Sequence, residues 1–436
     1  MGVVLRVLDL TGVDGAYRDH LPRGQFDVEA AVSVVAPIVE DVVHRGEDAL
    51  RELSQRFDGV TPTHLRVPAE ALKRAADELD PDLADAFAEA IRRRRHVAGE
   101  LELDRNPSPA ILADGARVGL RNIPVDRVGL YVPGGLAPLA SSVIMNVVPA
   151  QVAGVPSIAV ASPPQKEFGG LPHPNILALC HILGVEEVYA VGGAQAIAMF
   201  AHGVRGLCEP VSLITGPGNI YVVAAKRLVR GLVGIDSEAG PTEIAVIADD
   251  TANPAYVAAD LISQAEHDPI AASVLITASA GLAERVQEEL AIQVPATRHV
   301  ERIRTALGGQ QSAVVLVRDI EQAIAVADAY AAEHLEIQTA DAEAVANRIR
   351  NAGAIFVGDY SPVSLGDYSA GSTHVLPTAG CACHSSGLSV RSFIKTVHVI
   401  GYTAEALMSI ADGVERFANA EDLPGHANAI TVRRPR

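Results

Sequence analysis

Two doubly wound α/β units with parallel sheets, Rossmann-like but atypical, are the fold class this chain predicts, with small N- and C-terminal tail segments. Three observations carry it. At 436 residues the chain exceeds the roughly 250–300 residues at which a single core stops growing. Apolar residues make up 49% and charged residues 20%, the balance of a globular protein. Short β-branched apolar runs alternate with helical patterns, which implies parallel sheets buried on both faces.

Along the chain, Asp27 caps an amphipathic helix expected over 28–57 and stopped near Gly59. A further helix opens at Asp80-Pro81 and carries the arginine run 92–95, read as a solvated face. An apolar strand over 128–131 ends in Val132-Pro133-Gly134-Gly135, a sharp turn. Helix 141–153, strand 157–161, helix 175–183, strand 187–191 and helix 194–201 follow, and Gly216-Pro217-Gly218-Asn219 leads into helix 220–230. A second series runs through strand 244–247, helix 254–266, strand 272–277, helix 281–290, strand 313–317, helix 320–330 and strand 354–357. The tail beyond 388, with a helix over 404–418, is too short for its own core and must dock on something. The expected units are therefore a tail 1–27, a main unit of 28–130 plus 244–387, a second unit 131–243, and a tail 388–436.

Charge and cysteine usage exclude several classes. With 35 basic and 53 acidic residues the net charge is −18, which disfavours nucleic acid and anionic lipid as partners. Pro, Gly or charge breaks every apolar stretch before the roughly 20 residues that span a bilayer. Arg6 and Asp9 interrupt the apolar start, so no secretory signal is expected. Cys180, Cys208, Cys381 and Cys383 are few for this length and favour a reducing cytoplasm. Cys381-Ala382-Cys383-His384 has a tighter ligand gap than metal sites use.

Ligands of open parallel sheets bind beyond the carboxyl ends of strands. The turns at 133–135, 192–195 and 216–219 fall there, and the latter two precede helix starts whose free amides attract phosphate. Neither G-x-G-x-x-G nor G-K-[ST] occurs, so a dinucleotide would be held atypically. Gln264 and His267 stand three apart on one expected helix face, where both can meet one ion. Glu333-His334, Asp367, His374, Glu421 and His426 add acid–base groups and ligands. Taken singly each has an ordinary reading: a helix histidine, a surface pair at a helix C-terminus, a turn aspartate beside Gly366.

Together they carry a resemblance. Gly129-Leu-Tyr-Val-Pro-Gly-Gly135, Val191-Gly-Gly-Ala-Gln-Ala-Ile197, Thr215-Gly-Pro-Gly-Asn219 and Ala239-Gly-Pro-Thr-Glu243 are followed by Ser263-Gln-Ala-Glu-His267, Ala332-Glu-His-Leu335, Gly366-Asp-Tyr368 and His374-Val-Leu-Pro377. This ordered set closely resembles histidinol dehydrogenase, over nearly the whole chain. The resemblance implies an enzyme that takes L-histidinol through L-histidinaldehyde to L-histidine with NAD, the last two steps of histidine biosynthesis. It implies one Zn²⁺ per subunit on Gln264, His267, Asp367 and His426, an N/O donor set that suits this ion. His334 would be the general base and Glu333 the activator of water. Tyr131, Gln195 and Asn219 would contact NAD; Thr242, His374 and Glu421 would join the metal ligands and His334 around the substrate. Thr242 stands where some relatives have serine, and Asp422-Leu-Pro-Gly425 is a variant that keeps the interval from Glu421 to His426. The tail would cross to a partner in a homodimer with shared active sites. A zinc hydrolase could use the same ligands without NAD, and a non-catalytic binding protein could use the same two lobes.

Overall fold

The computed structural model describes residues 5–24, 28–104, 106–134, 138–238 and 240–435. Asp27, the expected cap, and Gly135 and Ala239 of the quoted motifs lie outside the described residues. Fourteen strands are described: β1 (Arg6–Asp9), β2 (Ala110–Ala113), β3 (Ala116–Pro124), β4 (Arg127–Tyr131), β5 (Ser157–Ser162), β6 (Glu187–Ala190), β7 (Leu213–Thr215), β8 (Gly234–Ile235), β9 (Glu243–Ala248), β10 (Ala272–Thr277), β11 (Ala313–Leu316), β12 (His334–Gln338), β13 (Ala354–Val357) and β14 (Ile394–Tyr402).

They form a five-stranded parallel sheet, β6-β5-β4-β7-β8, and a six-stranded parallel sheet, β1-β11-β10-β9-β12-β13. A small antiparallel sheet, β14-β3-β2, completes the set. With β1 set aside, both parallel sheets place their own strands in the order third, second, first, fourth, fifth. The two doubly wound units expected from the alternating pattern are present. Strand order reverses between β4 and β7 in one sheet and between β9 and β12 in the other. Every residue of β9 and β10 is buried, because helices cover both faces of the sheet.

The expected helix 28–57 is two helices, Val28–Arg45 and Glu47–Phe57, broken at Gly46 with φ 56. That left-handed backbone is one that glycine adopts without steric cost. These helices pack with the five-stranded sheet, as do Ala69–Asp77 and Pro81–Val97. The sequence grouped this region with 244–387; an apolar helix stripe shows that a partner exists, not which sheet it is. Residues 6–9, expected in a tail, are the edge strand of the six-stranded sheet. Within the arginine run, Arg92, Arg93 and Arg95 are exposed. Arg94 is fully buried and holds Glu102 with bonds of 2.8 and 3.0 Å.

After β14 the chain forms an arm of two helices, Ala404–Ala420 and Pro424–Thr431, that pack on each other. Among the described residues no helix is long and apolar enough to cross a membrane. All four cysteines are free.

Candidate active site

The six-stranded sheet contributes its amino edge. Helix Ile320–Tyr330 is stopped by Ala331 in the left-handed conformation, φ 49, which costs a non-glycine residue about 1–2 kcal/mol. The chain then enters β12 at His334, with Glu333 just before it, and both side chains are buried. The ordinary reading of this pair as a helix-end surface feature is overturned: it lies at the start of an interior strand.

Next to it, β9 begins at Glu243. The Glu333 Oε2 atom accepts hydrogen bonds from the Thr242 hydroxyl at 2.6 Å and the Glu243 amide at 3.0 Å. Because the Thr242 hydroxyl donates to that carboxyl group, its oxygen is free to accept, and it accepts from the Gln264 side-chain NH₂. The amide orientation follows: Gln264 Oε1 faces away, buried and with no hydrogen-bond partner. An orphaned carbonyl of this kind is costly unless something meets it.

Gln264 lies in helix Pro254–Ala265, and His267 sits on the turn that follows, its amide bonded to the Gln264 carbonyl at 3.2 Å. His267 Nε2 stands 3.8 Å from Asp367 Oδ2. Burial works against a charged His267, but the facing Asp367 carboxylate outweighs it and raises the imidazole above its ordinary value. Burial likewise works against an ionised Asp367, yet His267 chiefly holds it below the usual carboxylate range. Asp367 is therefore an anion at neutral pH.

His334 Nδ1 lies 3.2 Å from the Glu243 carbonyl oxygen and 3.5 Å from Glu333 Oε2. A carbonyl only accepts, so Nδ1 carries the hydrogen and Nε2 the lone pair. Burial pushes the His334 imidazole below its ordinary value and keeps it neutral. Burial pushes the Glu333 carboxyl up to about 8.

His374, beyond helix Val363–Tyr368, links this cluster to the carboxyl edge of the five-stranded sheet. Its Nδ1 donates to the Asp367 carbonyl at 3.2 Å, and its Nε2 lies 3.1 Å from the hydroxyl of Ser142, in the helix Ser141–Ala153 that follows β4. At the reversal between β4 and β7, Gly216 has φ 117, and a Cβ there would collide with the Tyr131 carbonyl. The two turns therefore touch backbone to backbone, which only glycine permits. A buried ion pair anchors the second turn: Lys226 Nζ donates to Asp236 at 2.6 Å and to the Gly216 carbonyl at 2.5 Å. Asp236 also accepts from the Gly216 amide at 2.8 Å. The buried Tyr131 hydroxyl accepts from the Gly193 amide at 3.1 Å, and Gln195 is buried in the first turn of helix Gly193–His202. Asn219 caps helix Ile220–Val229 through the Tyr221 and Val222 amides at 3.1 and 3.2 Å.

Thus Thr242, Gln264, His267, Glu333, His334, Asp367 and His374 converge, while Tyr131, Gln195 and Asn219 lie around the carboxyl edge of the five-stranded sheet. Glu421 and His426 are exposed on the C-terminal arm. Among the described residues no side-chain hydrogen bond or ion pair ties either of them to the cluster, and no three His, Cys, Asp or Glu side chains form a metal-holding group. Sequence reasoning missed Glu243, Arg23 and Ser142. Burial pushes the Glu243 carboxyl up to about 7, with Arg23 Nη1 opposing this from 3.6 Å. Glu243 could have been noticed as the neighbour of Thr242 in its motif; nothing near Arg23 in sequence points to this site.

The family model for histidinol dehydrogenase matches residues 21–434. The chain belongs to the histidinol dehydrogenase family. It is 67% identical to the histidinol dehydrogenase of Cutibacterium acnes, over 99% of this chain and 100% of that one. The Thermobifida fusca histidinol dehydrogenase is 63% identical, over 100% and 99%. The crystal structure of histidinol dehydrogenase from Elizabethkingia anophelis superposes with TM-score 0.92 at 32% identity, covering 98% of each chain. The chain is an enzyme of the histidinol dehydrogenase family, and the order of motifs that suggested it runs through the cluster described above.

Proposed function

We propose that the enzyme oxidises L-histidinol through L-histidinaldehyde to L-histidine, passing two hydrides in turn to NAD. The observation that carries this reading is the chain Gln264–Thr242–Glu333, which leaves an orphaned amide oxygen on Gln264, three residues before the His267 that faces ionised Asp367, and a neutral imidazole at His334. Gln264 Oε1, His267 and Asp367, joined by His426, form a donor set that fits Zn²⁺. The ion, when bound, would act as a template for the imidazole and amino nitrogens of the substrate.

His334 Nε2 takes the proton of the alcohol hydroxyl as the carbon that bears it gives up hydride, which NAD, when bound, would accept. Its Nδ1–H, fixed on the Glu243 carbonyl, keeps the accepting nitrogen free. In the second half, Glu333 takes a proton from the water that adds to the aldehyde, and hydride leaves the resulting hydrate. Its raised basicity, from burial, suits it to abstract that proton when ionised. Thr242 and the Glu243 amide hold the carboxyl in place. Helix Gly193–His202 starts with no side-chain cap, and its first-turn amides suit the NAD pyrophosphate, beside Tyr131, Gln195 and Asn219.

The reading includes a homodimer whose arms complete the partner's site with Glu421 and His426. Apolar side chains on β14 and the arm support it: Ile400 is 71% exposed, Phe417 68% and Val432 65%, a pattern that marks protein interfaces. A cytoplasmic location fits four free thiols. The zinc hydrolase alternative gains nothing from the family match and is not favoured.

The deciding experiment is stoichiometry on zinc-loaded protein: two NADH should form per histidinol consumed. One NADH, or none, overturns the reading. For the shared site, mixing His426→Ala chains with Glu333→Ala chains should restore partial activity, because one site of each heterodimer is then intact. Absence of any rescue would remove the crossing arm.

A further inference from the structure

The amino-edge cluster stands on a second polar group that the proposed chemistry does not use. Strand β12 alternates: Leu335 and Ile337 point into the apolar core on one face, while His334, Glu336 and Gln338 share the other. All three of these polar side chains are buried. The Gln338 side-chain NH₂ donates to Glu336 Oε2 at 3.1 Å and reaches Asp260 Oδ2 at 3.4 Å. Glu336 Oε1 accepts from the Val363 amide at 3.0 Å. Asp260 lies one turn before Gln264 in helix Pro254–Ala265, and Val363 opens the short helix Val363–Tyr368 that carries Asp367.

We propose that Asp260, Glu336 and Gln338 form a positioning truss that sets the spacing between the helix of Gln264, the strand of His334 and the helix of Asp367. The inference rests on the reading of Gln264, His267 and Asp367 as metal ligands. Apolar packing alone would let these three elements slide by fractions of an ångström. Directional bonds through one carboxyl group do not, because a shift of any element breaks a buried hydrogen bond. Two carboxyl groups this close in an apolar setting cannot both ionise. Burial pushes Asp260 up to about 6 and Glu336 well above the ordinary range, so a proton is held between them and the truss carries one negative charge. Outer groups that orient metal ligands typically change metal affinity by about 10–100-fold when removed.

The test compares Glu336→Ala with Glu336→Gln in the full-length protein. The glutamine can still accept from the Val363 amide and donate to Asp260, and Gln338 can turn its unpartnered Oε1 toward the new NH₂, so it should rescue; the alanine leaves the Val363 amide buried and unpaired. Cobalt(II) affinity, by chelator competition with the visible spectrum as readout, should fall by about 10–100-fold in Glu336→Ala and hold in Glu336→Gln. Leu179→Ala, a core truncation under the five-stranded sheet, serves as a control that loses thermal stability without touching the truss. Hydrogen exchange over 260–268 and 363–368 should quicken in Glu336→Ala but in neither comparison protein. If Glu336→Ala does not fold, Asp260→Ser replaces it with the same expectations. Unchanged cobalt affinity with unchanged exchange in the alanine protein overturns the truss, as does a glutamine protein that fails equally. Wild-type protein that takes up no cobalt overturns the ligand reading instead, and the exchange data then decide the truss alone.

Discussion

The five-stranded and six-stranded sheets have the same strand order but present opposite ends to the active site. The first offers its carboxyl edge, through the turns after β4, β6 and β7 and through Ser142. The second offers its amino edge, where Glu243 and His334 are the first residues of their strands. The six-stranded sheet has a carboxyl-edge crevice of its own between β9 and β12, a cavity of about 320 Å³ lined by Ile247, Asp249, Asp319, Val345 and Arg348. Asp319 caps the helix that follows β11, accepting from the Gln322 amide at 2.8 Å, and Asp249 accepts from the Ala340 amide at 2.9 Å in the loop after β12. At Gly192-Gly193 the helix starts with no side-chain cap. The shared strand order creates two crevices, and only in the five-stranded sheet does the helix after the third strand start without a side-chain cap, which leaves its first amides open to an anion.

The largest effect should come from the amino edge. His334→Ala is expected to lower kcat by about 10²–10⁴, read as NADH formation, with the circular dichroism of the protein retained. Burial lowers the His334 imidazole, and the proposed role as base needs its neutral form, so activity of the native enzyme should be lost as pH falls through a value below the ordinary histidine range. A variant at this position that keeps both turnover and that acid limb would break the division of labour between the edges.

Lys226→Met should come next, because it strands Asp236 as an unpaired buried charge beneath the Gly216 turn. The expected loss is about 3–5 kcal/mol in denaturant unfolding, with a raised KM for NAD. Unchanged stability would mean that the turn is held by its glycine packing alone.

The smallest effect belongs to the other crevice. Asp319→Ala removes a helix cap and should cost about 0.5–2 kcal/mol while leaving turnover and the KM for NAD untouched. Impaired turnover in that protein would show that the two crevices are not functionally distinct.

Much of the architecture could be read from local pattern. Helix Ile320–Tyr330 and strands Ala272–Thr277 and Ala354–Val357 lie where apolar periodicity places them; the helix and the first strand are covered on the faces their patterns show, and the second strand is a sheet edge with Ile355 exposed. Strand β12 escaped notice. Its polar residues look like a solvent face, and they are interior only because Asp260 and the Val363 amide come from distant parts of the chain to satisfy them. The break at Gly46 was hidden inside a continuous helical pattern for a related reason: one glycine in a helix is tolerated, and its φ is set by what the two halves pack against.

By itself the sequence determined the alternating α/β class, the family motifs and the residue types able to hold a cation and move a proton, since these depend on composition and short-range spacing. Only the tertiary structure decided which sheet helices 28–97 cover, which end of each sheet faces the site, and that Thr242 aims the Gln264 carbonyl by bonding its NH₂. Those outcomes depend on contacts between elements far apart in the chain, where hydrogen-bond direction and close packing act and local propensity has no say.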